Sequence, residues 1–224
     1  MSTQVQYELM YGRDAIAAVR KCPVGFLPIG CLERHGDHLP MGLDVLKAHR
    51  GCCAAARQIG GVVFPPHYYS GIHQMTPERI AKHTGQWGNI YTDASAKQNL
   101  TDLVRQFRTA GVRVLVLYTG HYPKCQVEMV KEIEQEFADD EDIALIAFAE
   151  RMILEGDHAG ISETSFLLHL APDLVQMDRI GQENYQDHGW GDHNTPEKAT
   201  AKQGQAETAA VIAYLKQRIA QALP

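Results

Sequence analysis

The chain has 224 residues, of which 45% are hydrophobic and 21% charged, with a formal net charge of −6 at pH 7; it fits one globular domain, residues 1–224, with a sizeable core. That acidic balance argues against nucleic acid as a partner, because phosphate binding needs a basic face. No apolar run reaches the roughly 18 residues that cross a membrane, and MSTQVQYELMYGRDAIAAVR lacks the basic start and apolar core of a secretory signal.

In chain order, four apolar runs read as buried strands: VGFLPIG (24–30), GVVFPPHYYS (61–70), VRVLVLYTG (112–120) and DIALIAFAE (142–150). They are short and rich in Val, Ile, Leu and aromatics without clean alternation, as expected when both sheet faces are covered. Helical stretches lie between and after them: Asp44 to Ile59, Asp93 to Ala110, Lys124 to Asp139, Ser162 to Leu170 and Ala206 to Leu223. Gly60 and Gly111 follow two of these as C-caps. Strands alternating with helices predict an α/β fold with a parallel, doubly wound sheet. Residues 70–90 and 181–204 scatter Gly, Pro, His and Trp without period, and are expected to form active-site walls or subunit contacts.

The five cysteines, Cys22, Cys31, Cys52, Cys53 and Cys125, are odd in number and show no C-x-x-C spacing. This is the pattern of reduced thiols in a cytoplasmic protein. Cys31 sits among ligand-type residues and reads as a small packed side chain at a strand end, not as a nucleophile.

Chemistry concentrates after two strands. The first runs into GCLERHGDHLPMGLD, with Glu33, His35, Asp37, His38 and Asp44; the third runs into Gly120 and His121. Ligands of open α/β sheets collect beyond the strand carboxyl ends, so neighbouring strands would bring Glu33, His35, Asp44 and His121 together. Mixed carboxylates and imidazoles suit Zn²⁺ or Mn²⁺, and a bridging carboxylate makes the set sufficient for two ions. Asp44 also reads as the N-cap of the helix that follows. Asp37 and His38 read as loop residues with local hydrogen bonds. The glycine before His121 would allow close backbone approach to a ligand.

LPIGCLERHGDHLPMGLD resembles the creatininase family signature LPxGSxEQHGPHLPLGTD. YTGHYPK, GDHAGISETSFLLHLAPDLV and WGDHNTPEKATAKQGQAETAAVIAYL resemble three further family segments in the same order. The resemblance implies a metal-dependent amidohydrolase that cleaves a C–N bond of a small-molecule amide, cyclic amide or formamide with metal-activated water. It further implies a compact three-layer α/β/α subunit with a mostly parallel sheet, assembled into a homohexamer, and a centre holding Zn²⁺ and/or Mn²⁺, two ions in all, with Fe²⁺ as an alternative occupant. Carried over, Glu33, His35, Asp44 and His121 are metal ligands with Asp44 as bridge. Glu163 lies at or beside the metals, as ligand or catalytic group, and His158 transfers protons.

The pattern departs from the family at several places. Pro123 stands where creatininase carries a glutamate, Ile161 replaces the HAGE glutamate, Thr119 an asparagine, and Leu154 a tryptophan. These changes weaken creatinine as substrate more than they weaken the metal site. A non-catalytic homologue serving in assembly or ligand binding is the competing expectation. Tyr122, Lys124, His73 and Trp190 are expected to contact substrate, with Lys124 favouring an anionic one. Tyr68, Tyr69, His73, Trp190 and His193 line either that pocket or a subunit interface.

Overall fold

The computed structural model of the chain describes residues 4–84, 89–93, 95–181 and 195–223. Each predicted run contributes one strand: β1 (Val24–Ile29), β2 (Val62–Val63), β3 (Val114–Thr119) and β4 (Ala144–Phe148). All pair in parallel, in the order β2-β1-β3-β4. The helices are α1 (Gly12–Lys21), α2 (Leu43–Ile59), α3 (Pro77–Thr84), α4 (Ser95–Thr109), α5 (Lys124–Glu136), α6 (Ile161–Leu170) and α7 (Ala201–Ala222). Among the described residues, no helix is long and apolar enough to cross a membrane.

Alternating strand side chains feed two cores. Val24, Phe26, Val116, Tyr118 and Phe148 pack with Ala48 and Cys52 of α2, Phe166 of α6 and Leu215 of α7. Leu27, Ile29, Leu115, Leu117 and Leu145 pack with Val19 of α1, Leu100 and Val104 of α4, and Ile133 of α5. The result is the three-layer α/β arrangement expected, with both sheet faces covered.

Local chemistry moved several boundaries. The second strand shrinks to two residues because Pro65 and Pro66 carry no N–H for a ladder; only His67 returns, to bridge Ile29. α7 begins at Ala201, five residues before the expected start, because Thr200 caps it by accepting the Gln203 N–H at 3.1 Å. α3 forms inside the aperiodic 70–90 stretch, with Pro77 as its first residue and the Thr76 hydroxyl accepting the Arg79 N–H at 3.3 Å.

From β1 the chain goes to β2 on one side of the sheet and then reaches β3 on the other. The crevice of an open α/β sheet lies at such a reversal, beyond the carboxyl ends of the strands. β1 and β3 pair along their full length, from Val24 opposite Val114 to Ile29 opposite Thr119. The polar loop after β1 and His121 after β3 therefore emerge side by side.

Candidate metal centre

The loop of residues 30–42 folds back on itself where the Glu33 N–H donates to the Met41 carbonyl at 2.8 Å. This turns Glu33 and His35 inward and delivers the chain to α2. Asp44 lies in the first turn of α2 but does not cap it: the N-cap position is Gly42, and no side chain caps there. The expected capping role is thus corrected, because both Asp44 oxygens are engaged elsewhere. Gly120 is needed to bring β3 against this turn, since a Cβ there would lie 1.9 Å from the Asp44 carbonyl oxygen. The close approach that its missing side chain allows is to backbone, and it seats His121 beside Asp44.

Asp44 faces two groups at once. Its Oδ1 lies 3.3 Å from His35 Nε2, and its Oδ2 lies 3.2 Å from His121 Nδ1. On the His121 side, Glu33 Oε2 is 3.1 Å from His121 Nδ1, while Glu33 Oε1 accepts the Tyr91 hydroxyl at 2.7 Å. On the His35 side, Glu163 Oε2 is 3.5 Å from His35 Nε2. Glu163 is itself held on every side. Its Oε1 accepts from Lys47 Nζ and from the Tyr122 hydroxyl, each at 2.8 Å, and its Oε2 accepts the Ala159 N–H at 2.8 Å.

Backbone carbonyls set both histidine tautomers. His35 Nδ1–H donates to the Glu33 carbonyl at 3.0 Å, and His121 Nε2–H to the Ile72 carbonyl at 3.2 Å. Such outer partners orient metal-binding imidazoles. The remaining nitrogen of each ring faces two carboxylate oxygens, an arrangement repulsive for a bare lone pair and favourable once a cation lies between. This donor set fits divalent metal.

The electrostatics agree. Burial disfavours charge on His35, but Asp44, Glu163 and Glu33 together push its pKa up to about 9. Burial likewise opposes a charged His121, and Cys31, Glu33 and Asp44 outweigh it and hold the value well above the ordinary one. Burial would raise the Glu33 carboxyl, yet His121, His158 and His35 pull it down to about 2. Without metal, protons fill the positions that a cation would take.

The sequence matches the family profile described as "Creatininase: Creatinine amidohydrolase" over residues 8–219. The chain belongs to the creatininase family. It is 31% identical over 195 residues to the creatinine amidohydrolase of Pseudomonas putida, covering 75% of this chain and 71% of that one. Against the mycofactocin precursor peptide peptidase of Mycobacterium ulcerans it is 32% identical over 177 residues, covering 72% of this chain and 64% of the relative. A crystal structure of creatinine amidohydrolase superposes with a TM-score of 0.78 at 25% identity, covering 100% of this chain and 99% of that one.

In this creatininase-family chain the centre opens onto a cavity of about 300 Å³, lined by Glu33, His35, Asp44, His121, His158 and Glu163 together with His73 and Tyr122. His158 stacks on His35, ring centroids 4.3 Å apart, and its Nε2–H donates to the Arg34 carbonyl at 3.1 Å, leaving the lone pair on Nδ1. Its pKa is depressed by burial and by the charge on His35.

Lys124 does not join this family site. It opens α5 with an 86% exposed side chain directed along the helix to Glu128, outside the cavity lining. Trp190 and His193 lie outside the described residues. Tyr69 faces solvent, and of the aromatic and histidine residues at 66–75 only His73 lines the cavity. Asp37 makes the local pairing expected of it, with Arg34 at 3.0 Å, whereas His38 Nε2 reaches out of its loop to the Thr164 hydroxyl at 2.9 Å, which corrects the local bond expected there.

Four residues beyond the predicted set shape the centre. Tyr91 orients Glu33, Lys47 neutralises Glu163 from behind, Asp157 accepts the Ser162 and Glu163 N–H groups at the start of α6, and Arg151 lines the cavity. Tyr91 and Lys47 lie 58 and 116 residues from the carboxylates they serve, so no local pattern marks them. Asp157 differs, since its place five residues before Ser162 is a helix-start signal.

Proposed function

We propose that the protein is a metal-dependent amidohydrolase that cleaves a C–N bond of a small-molecule amide, cyclic amide or formamide. The observation that carries this reading is Asp44, whose two oxygens serve two separate imidazole–carboxylate groups at the end of one cavity. Glu33, Asp44 and His121 would hold one ion and His35, Asp44 and Glu163 the other. Zn²⁺ and Mn²⁺ suit these donors, and solved creatininases 24% identical to this chain include a manganese form and a Zn–Zn type mutant. When bound, such ions polarise an amide carbonyl and lower the pKa of water toward neutrality.

The chain's own residues do the rest. Lys47 and Tyr122 keep Glu163 an oriented carboxylate, and Tyr91 does the same for Glu33. The Arg34 carbonyl fixes the His158 ring, so its Nδ1 can accept a proton and return it to the leaving nitrogen. A cavity of about 300 Å³ suits a small substrate; a mutant creatininase complexed with creatine, 25% identical to this chain, has the same fold. Five free cysteines suit a cytoplasmic protein, and the exposed Leu9, Tyr11 and Ile16 suit assembly with further copies, in the hexamer that the family resemblance implies.

The test is elemental analysis combined with a panel of creatinine, formylated aminopyrimidines, hydantoin-like rings and short peptides, with Zn²⁺ or Mn²⁺ added. The protein is expected to retain metal and turn over a member of the panel. Glu33→Gln and Asp44→Asn are each expected to lose metal and lower kcat/KM at least about 100-fold. Activity that survives both substitutions, or a protein that takes up no Zn, Mn or Fe, would falsify the reading.

A further inference from the structure

Behind the first ion site lies a donor that the cavity does not reach. Cys31, fully buried at the end of β1, points its Sγ at Asp44 Oδ2, 3.5 Å away, with Glu33 Oε2 at 4.0 Å. Ligand atoms of Cys31, Glu33, Asp44 and His121 all lie within 4.8 Å of one another. We infer that Cys31 is itself a ligand, completing a Cys–Glu–Asp–His set around the ion next to His121. This rests on the metal-centre reading above and goes one step beyond it.

The spacing supports it. With zinc–nitrogen and zinc–oxygen bonds of about 2.0–2.1 Å, tetrahedral donors stand about 3.3 Å apart, and an oxygen and a sulfur about 3.5 Å apart. The nitrogen–oxygen separations here are 3.1 and 3.2 Å, and the sulfur–oxygen separations 3.5 and 4.0 Å. The thiol has little room to turn away. Gly71 presses against it so closely that a Cβ there would come within 2.4 Å of Cys31 Cβ and 2.9 Å of Sγ. No carboxylate or imidazole comes from the Tyr122-Pro123-Lys124 segment that follows His121; among the described residues, the donor that lies within 4.8 Å of Glu33, Asp44 and His121 alike is the buried thiol.

Coordination breaks the S–H bond. The sulfur electron pair forms the bond to the cation, and the proton leaves to solvent. Two consequences follow. Four protein donors make the His121-side site closed, leaving the His35-side site, with three donors and the cavity beside it, for water and substrate. A thiolate also biases the closed site toward Zn²⁺ over Mn²⁺, whereas the other site keeps only nitrogen and oxygen donors.

Cobalt substitution reads this directly. The wild-type protein loaded with Co²⁺ is expected to show sulfur-to-cobalt charge-transfer absorption in the near ultraviolet, and Cys31→Ser, with the other four cysteines intact, is expected to lose it. The same variant should bind Zn²⁺ at least about tenfold more weakly while its Mn²⁺ affinity changes little; circular dichroism of metal-free protein checks that it folds. Cobalt uptake without that absorption, or absorption that persists in Cys31→Ser, overturns the ligand assignment while the metal centre stands. If cobalt, zinc and manganese are all refused, the metal centre falls and this ligand with it.

Discussion

Arg151 and Glu150 are neighbours in the 3-10 turn after β4, and their side chains part company. Glu150 is buried, accepts the Tyr118 hydroxyl at 2.7 Å, and has its pKa raised to about 7, chiefly by burial. Arg151 is exposed and lines the cavity, its stem lying over Gly156, where a Cβ would meet Arg151 Cβ at 3.2 Å. The cation that lines the cavity is thus not Lys124 but Arg151, from a different strand end. Arg151→Ala is therefore expected to raise KM about tenfold for a substrate bearing a carboxylate, with kcat little changed and a neutral amide unaffected; equal KM changes for both substrates would refute it. Lys47 poses a different test. It is fully buried, 2.8 Å from Glu163 and 3.4 Å from Glu150, with Tyr122's ring 4.6 Å beneath its ammonium. Lys47→Met strands two buried carboxylates, which costs about 3–5 kcal/mol and lowers Tm by about 6–20 °C for a chain of this size. Thermal melts that match the wild type would show the pair to be dispensable. Glu33, His35, Asp44 and His121 were legible from sequence because they crowd the ends of two recognisable strands. Lys47 was not: its partner Glu163 lies 116 residues away, and alone it reads as one more solvated helix lysine.

At the scale of elements, the site depends on how closely β3 meets α2. The Gly120 Cα lies so near the Asp44 carbonyl that a methyl group cannot be accommodated by rotating any side chain. Gly120→Ala must displace the strand end or the helix start. The expected cost is about 1–3 kcal/mol, and His121 and Asp44 should separate enough to weaken metal binding at least about tenfold. Calorimetric titration with Zn²⁺ beside a thermal melt measures both, and wild-type affinity in this variant would contradict the packing argument. Helix and strand types were legible where apolar residues recur over several helical turns, as in α2 and α5, or run unbroken, as in β3. Failures occurred where local chemistry overrode composition. Pro65 and Pro66 removed the hydrogen bonds of most of the second strand, and Thr76-Pro77 started a helix in a stretch that shows no period. The segment at 89–92 gave no signal at all, since it is ordered by tertiary partners: Asn89 Oδ1 accepts the Arg34 N–H at 2.8 Å, and Ile90 N–H donates to the Leu32 carbonyl at 2.8 Å. That pairing is what carries Tyr91 to Glu33.

For the whole molecule, the centre acts as a clasp. Its candidate ligands come from the loop after β1, the start of α2, the end of β3 and the start of α6, so one bound cluster would tie the α2/α6 layer to the ends of the two central strands. A cation that binds only the folded chain stabilises it by about 2.7 kcal/mol at one hundred times its Kd, equivalent to about 5–11 °C in Tm. The pH dependence separates this from nonspecific salt effects. In metal-free protein, the raised pKa of His35 means that its pairing with Asp44 and Glu163 contributes stability fully below the ordinary value of 6.5, and that this is lost as pH rises through about 9. With metal the order reverses, because the cation must displace the His35 and His121 protons, and those protons compete less as pH rises. The two stability curves should diverge from pH 6.5 upward, metal-free protein weakening while the loaded protein holds. Thermal melts at pH 6.5 and 8.5, with saturating Mn²⁺ or with chelator, measure the gap, and titration calorimetry in buffers of different ionisation enthalpy counts at least one proton released per chain. A gap of equal size at both pH values, with no proton release, would mean that the buried histidines do not hold the ion.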